Sequence, residues 1–354
     1  MSGRVLVVGI DGVRLDTLRA AHTPHLDAVE AAGWLAEFEL SEDAPTLSGP
    51  AWASVATGLW PRVHGIHGNV FAGHRLAAFP DVFTTARRRG FATYVGATWS
   101  PLVTTEYGGP LFAAPTRLAY ADGHALGHDR ADRHIADDAA RVLGAEGVDA
   151  AFVYLGEPDE VAHELGTGPQ YTAAIERADL HLGLVLDAVR ARPRFAAEDW
   201  TFLVVTDHGH RDEGGHGGRT RWERTAWLAA CGAGIGPHAP AGVNHVSVAP
   251  TVLDALGQDL RHESHLAGTS LLARPADRLP AGDDAERTAG STGGSAGHAA
   301  RRAAETPGDL AEDSAARAAE PAGDLAGHAA GRAAEPAGDL AGHAAGRAAE
   351  SAGV

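Results

Sequence analysis

The chain has 354 residues and a formal charge of −17, with 44% hydrophobic and 6% aromatic residues and a single cysteine. One cysteine excludes a disulfide framework or a cysteine-rich zinc module, and the acidic balance argues against a nucleic-acid binder, which needs cationic excess to displace phosphate counterions. All 29 basic residues are arginine, which excludes a catalytic lysine.

Taken in chain order, residues 4–10 (RVLVVGI) read as a buried strand that runs directly into Asp11. The opening MSGRVLVVGIDG has no signal-peptide regions, and no apolar run approaches the ~20 residues of a membrane span. A cytoplasmic protein without membrane association is expected.

Next comes SEDAPTLSGPAWASVATGLWPRVHGIHGN, in which Ser48 precedes Gly49 and Pro50. Pro50 suits the first turn of a helix. A hydroxyl at a helix N-terminus faces free backbone N–H groups, a natural place for phosphoryl oxygens; the plain alternative is a serine N-cap. Trp52 and Trp60 read as core, while His64 and His67 either line a pocket or only shape the loop.

Residues 91–96 (FATYVG) form the second strand, and Trp99 and Tyr107 in the irregular segment 98–128 are candidates for a substrate lid. The third strand, 150–155, leads into GEPDEVAH, which sets Asp159 and His163 four residues apart. A helical pattern over 170–190 follows. The fourth strand, 201–206, ends in VVTDHGH with Asp207 and His208, and a glycine-rich loop carries His216. His210 suits a hydrogen bond behind these groups. A fifth strand at 227–230 runs to Cys231, read as a small buried hydrophobe. Beyond it lie a structural His245 and a helix over 248–256.

Apolar strands separated by helices predict an α/β fold with a mostly parallel central sheet and helices on both faces. Ligands of such sheets collect at the carboxyl ends of the strands. Asp11, Asp159, His163, Asp207, His208 and His216 all fall there. Any one of them has an ordinary explanation, but six together do not, because packed carboxylates repel unless a cation neutralises them. Mixed histidine and aspartate ligation suits zinc, with manganese or iron less selectively.

Composition changes near residue 275, dividing the chain into a domain at 1–275 and a tail at 276–354. RAAEPAGDLAGHAAG begins at Arg317 and recurs from Arg332. One leucine per repeat, among glycine and proline, is too little apolar area to offset ordering the chain. A disordered tail is expected.

In this order, GIDG, PTLSGPAWASVATGLWPRVHGIHGN, EPDEVAHELGTGPQYTAAIERAD, TDHGH, GGHGG and VSVAPTVLDALG resemble the alkaline phosphatase superfamily, most closely its nucleotide pyrophosphatase/phosphodiesterase branch. The resemblance implies two divalent ions. Asp159, His163 and His216 would hold one; Asp11, Asp207 and His208 the other, with Ser48 as its variable fourth ligand and as nucleophile. Asn69 and the Gly49 N–H would contact phosphoryl oxygens. That branch ordinarily uses threonine where Ser48 stands, serine being the monoesterase choice. The long insertion common before the third histidine is also missing.

The implied function is hydrolysis of a small phosphate diester or nucleotide through a phosphoseryl intermediate. A phosphomonoesterase is the alternative. A sulfatase, whose motif needs arginine where Trp52 stands, or a non-catalytic metal-binding protein fits less well.

Overall fold

Alternate residues of the central strands point to opposite faces, and both faces are apolar. Strand β1 (Gly3–Ile10) sends Val5 and Val7 into one hydrophobic cluster and Leu6 and Val8 into another. Strand β5 (Ala150–Leu155) divides Phe152 from Val153 in the same way, and strand β6 (Asp199–Val205) divides Leu203 from Val204. The parallel register puts Val7 opposite Phe152 and Leu203, so like faces meet. Burying one such side chain contributes about 1.5–3 kcal/mol, which favours burial on both sides and places these strands mid-sheet.

The computed structural model describes residues 3–145 and 147–273. The remaining strands are β2 (Gly33–Glu39), β3 (Thr93–Ala97), β4 (Arg117–Tyr120) and β7 (Thr225–Gly232). All seven form one sheet in the order β2-β7-β6-β1-β5-β3-β4. β1, β3, β4, β5 and β6 pair in parallel, and β7 runs antiparallel to both β6 and β2. Helices Ser48–Thr57 and Val248–Ala255 cover one face; His128–Gly144 and Pro169–Arg190 cover the other.

The mostly parallel sheet with helices on both faces is as expected. Strands β2 and β4 were not anticipated. Both lie at sheet edges, where burial is mixed and the residues lack a continuous apolar run. Among the described residues no helix is long and apolar enough to cross a membrane. The repeat tail, like the domain boundary at 275, lies outside the described residues.

Candidate metal centre

Three neighbouring strands deliver the site. β6, β1 and β5 lie side by side in the sheet and end on the same edge, each with polar residues just beyond. Asp207 and His208 follow β6, and Asp11 follows β1. The helix Glu157–Leu165 follows β5 and carries Asp159 and His163 on one face, four residues apart. Gly12 turns the chain away at φ 66°, and a Cβ there would stand 2.6 Å from both Asp159 Oδ1 and His210 Nε2. A side chain at that position would push the two apart.

Asp11, Asp207 and His208 form a fully buried group. Asp11 Oδ2 accepts the Trp52 indole N–H at 2.9 Å and the Tyr154 hydroxyl at 2.5 Å. Asp207 Oδ1 accepts the Gly12 and His208 backbone N–H groups, each at 2.9 Å. The other two oxygens, Asp11 Oδ1 and Asp207 Oδ2, have no hydrogen-bond partner among the described residues. His208 Nε2 faces both, 3.8 Å from the first and 3.1 Å from the second. Its Nδ1 donates to the Gly209 carbonyl at 3.2 Å, which leaves a lone pair on Nε2. Ser48 Oγ joins at 3.3 Å from that nitrogen.

Burial and mutual repulsion set the charge state of this group. Burial, then the charges of Asp207 and Asp159, push Asp11 well above the usual carboxylate range. Burial, then Asp159, push Asp207 up to about 7. Burial holds His208 well below its ordinary value, as a neutral base. Two carboxylates with bare oxygens aimed at one neutral imidazole suit a divalent cation, whose charge favours their ionised form.

Asp159, His163 and His216 form the second, more open group. The His216 Nδ1–H donates to the Thr46 carbonyl at 2.7 Å, so its Nε2 lone pair faces inward. That nitrogen stands 2.9 Å from His163 Nε2 and 3.5 Å from Asp159 Oδ1, while His163 Nε2 is 3.4 Å from Asp159 Oδ2. Burial raises Asp159, but hydrogen bonds from His163 and His210 and the charges of His216 and His210 outweigh it and hold the carboxyl well below its usual range. Hydrogen bonding to Asp159 raises His163, and burial lowers His216. The two groups adjoin: the His208 and His216 rings stack at 3.8 Å. Both donor sets mix nitrogen and oxygen, which suits zinc-like ions.

All six predicted donors are thus brought together, in the two sets expected. Three details differ from expectation. The helix begins at Ser48 itself, with Leu47 at the N-cap position, so the alternative of a serine N-cap does not hold. The Gly49 N–H donates to Asn69 Oδ1 at 2.9 Å and is therefore not free for a phosphoryl oxygen; Asn69 Nδ2 is the donor left over. Trp99 packs edge-on against Phe71 beside the core, so of the two lid candidates only Tyr107 is exposed.

His210 donates from Nε2 to Asp159 Oδ1 at 2.8 Å and sits wholly buried behind it. His245 is structural, donating to the Thr206 carbonyl at 2.9 Å. His64 is buried and paired with Ser54, shaping the loop, and Cys231 is buried.

Sequence reasoning missed the groups that hold the site. Trp52 and Tyr154 fix Asp11 from 41 and 143 residues away. Thr46 Oγ1 donates to the Gly218 carbonyl and accepts the Gly217 N–H, stitching the glycine-rich loop to the segment before Ser48. Only Tyr154 carried a signal, a polar aromatic next to the end of an apolar strand.

A family model for type I phosphodiesterase / nucleotide pyrophosphatase matches residues 5–225. The ectonucleotide pyrophosphatase/phosphodiesterase family member 7 of Mus musculus is 21% identical over 224 residues, covering 58% of this chain and 49% of the relative. The human protein of that name is 22% identical over the same length. The chain spans about half the length of the curated relatives it matches. Among solved structures, murine ectonucleotide pyrophosphatase / phosphodiesterase 5, in an inactive form with AMP, superposes with a TM-score of 0.56 at 16% identity. That match covers 77% of this chain and all of the other. A 2-O GAG sulfatase superposes with a TM-score of 0.61 at 16% identity, covering 77% and 73%. At such identities the structural likeness shows the fold alone.

Proposed function

The chain belongs to the type I phosphodiesterase / nucleotide pyrophosphatase family, and from that premise we propose that it hydrolyses a phosphodiester or pyrophosphate bond of a small nucleotide-like substrate, with Ser48 as nucleophile. The observation that carries this reading is the pair of buried oxygens on Asp11 and Asp207 that have no hydrogen-bond partner among the described residues and face His208 Nε2, with Ser48 Oγ beside it. Asp11, Asp207 and His208 would hold one divalent ion and Asp159, His163 and His216 a second. When bound, such a pair supplies Lewis acidity to phosphoryl oxygens and lowers the pKa of a neighbouring hydroxyl.

The chain's own residues do the rest. Ser48 Oγ, fixed in the first helical turn, loses its proton to solvent and bonds to phosphorus as the bond to the leaving oxygen breaks. Asn69, its Oδ1 anchored on the Gly49 N–H, offers Nδ2 to a non-bridging oxygen as charge redistributes. Water then cleaves the phosphoseryl ester, and two displacements give net retention at phosphorus. Trp52 and Tyr154 hold Asp11 in place throughout.

The serine favours a second reading, a phosphomonoesterase, and the sulfatase-like fold neighbours add a third. Initial rates on bis-p-nitrophenyl phosphate, p-nitrophenyl phosphate and p-nitrophenyl sulfate, with zinc or manganese added, separate them; the diester should be fastest. Ser48→Ala should lose at least about 10³-fold in turnover with metal content unchanged, and Ser48→Thr should keep part of the activity. Turnover near wild type in Ser48→Ala would remove the nucleophile from the mechanism.

A further inference from the structure

A third set of metal-ligating side chains lies outside the two groups above. We propose that His124, His128 and Glu160 form a separate site for a divalent transition-metal ion such as zinc or cobalt, with one coordination position open to solvent. The side-chain donor atoms of the three lie within 4.8 Å of one another. His128 Nε2 stands 3.8 Å from Glu160 Oε1, too far for a hydrogen bond. Around a tetrahedral ion with bonds of about 2.0–2.2 Å, donors sit about 3.3 Å apart. Half an ångström of side-chain movement therefore closes that pair on a cation.

The local fold supplies the arrangement. The short helix Gly123–Leu126 carries His124, and the helix His128–Gly144 opens with His128. The two rings meet edge to face at 5.0 Å. His128 lies directly against Gly123, where a Cβ would come within 2.5 Å of its Nδ1. Glycine there lets the ring settle with Nε2 turned toward Glu160. The position at the start of a helix disfavours a proton on the imidazole, and burial outweighs the attraction of Glu160 and lowers His128. A charged histidine–glutamate ion pair is thus the weaker account of the contact.

Glu160 follows Asp159 in the helix Glu157–Leu165, and neighbours in a helix point about 100° apart. The two carboxylates therefore serve different clusters. Two imidazoles and one carboxylate form a donor set that favours zinc-like ions over magnesium or calcium, which prefer oxygen. His124 is exposed, so the remaining position takes water or an anionic oxygen from solution.

The test is cobalt stoichiometry by elemental analysis after dialysis of the full chain against Co²⁺, comparing wild type with His124→Ala, His128→Ala and Glu160→Gln. Each variant should carry one cobalt fewer per chain than wild type. The rest of the chain is common to all four proteins, so the difference is read whether or not the two groups at the strand ends load. Hydrolysis of the chromogenic diester should stay within about twofold of wild type. His124 is at the surface, and its replacement leaves the fold intact even if His128→Ala unfolds. Equal cobalt in wild type and His124→Ala would overturn the proposal, as would an equal one-ion difference when Mg²⁺ replaces Co²⁺.

Discussion

The two groups at the strand ends use similar side chains but are built differently. Asp11, Asp207 and His208 stand just past the ends of β1 and β6 and are 0–1% exposed. Asp159, His163 and His216 depend on a helix turn and a glycine-rich loop, and the His163 side chain is 41% exposed. The first set is held by the core; the second is held by loop hydrogen bonds such as that from His216 to the Thr46 carbonyl. The lesson is that one half of the centre inherits its geometry from the sheet, whereas the other must be assembled by contacts that are easier to lose.

The largest effect should come from breaking the sheet-built half. Asp207→Ala should lose about 10⁴-fold or more in turnover and one metal per chain by elemental analysis, while the fold survives. Two tightly held ions in that variant would remove the distinction altogether. Next, Gly214→Ala attacks the loop-built half, because Gly214 has φ 87° and a Cβ there would meet the Ala162 carbonyl at 2.0 Å. Displacing the loop should weaken metal binding in the open group alone, with turnover down about 10–100-fold and partly restored by excess zinc. Failure of excess zinc to restore any activity would mean that the buried half had moved too.

Much of this was legible because Asp11, Asp207 and His208 come just after strands and Asp159 lies in the first turn of the helix that follows β5. The runs at 4–10, 150–155 and 201–206 are unbroken apolar segments, and the polar residues after them mark the sheet edge. The contact of Trp52 and Tyr154 with Asp11 was not legible, since it depends on strand order, and no local pattern reports which distant side chain faces a carboxylate. Asn69 was found through its motif, but the pairing of its Oδ1 with the Gly49 N–H follows only from the fold.

Smaller effects sharpen the comparison at its supports. Tyr154→Phe removes one donor to Asp11 without removing the ring, and should reduce metal affinity about 10–100-fold, measured by titration with a chelator. Unchanged affinity would show that the indole alone suffices. The smallest effect concerns acid stability beneath the buried half. Burial lowers His245 to about 4 while its side chain holds the Thr206 carbonyl. Between about pH 6.5 and 4 the unfolded chain binds a proton that the folded chain refuses, so stability falls as pH drops through that window, by about 2 kcal/mol at pH 5. His245→Gln should flatten the decline of melting temperature between pH 7.5 and 5, and parallel curves for the two proteins would count against it.

Trp52 fills the core beside Phe152 and at the same time donates to Asp11. A selection for expression would score this position as a stability determinant, and a selection for turnover would score it as part of the active site. The two landscapes share an axis here. Engineering that trades the indole for a better-packing hydrocarbon would gain or lose stability only by also releasing a carboxylate oxygen, so variants at this residue should show strong epistasis with Tyr154, the other donor to that oxygen.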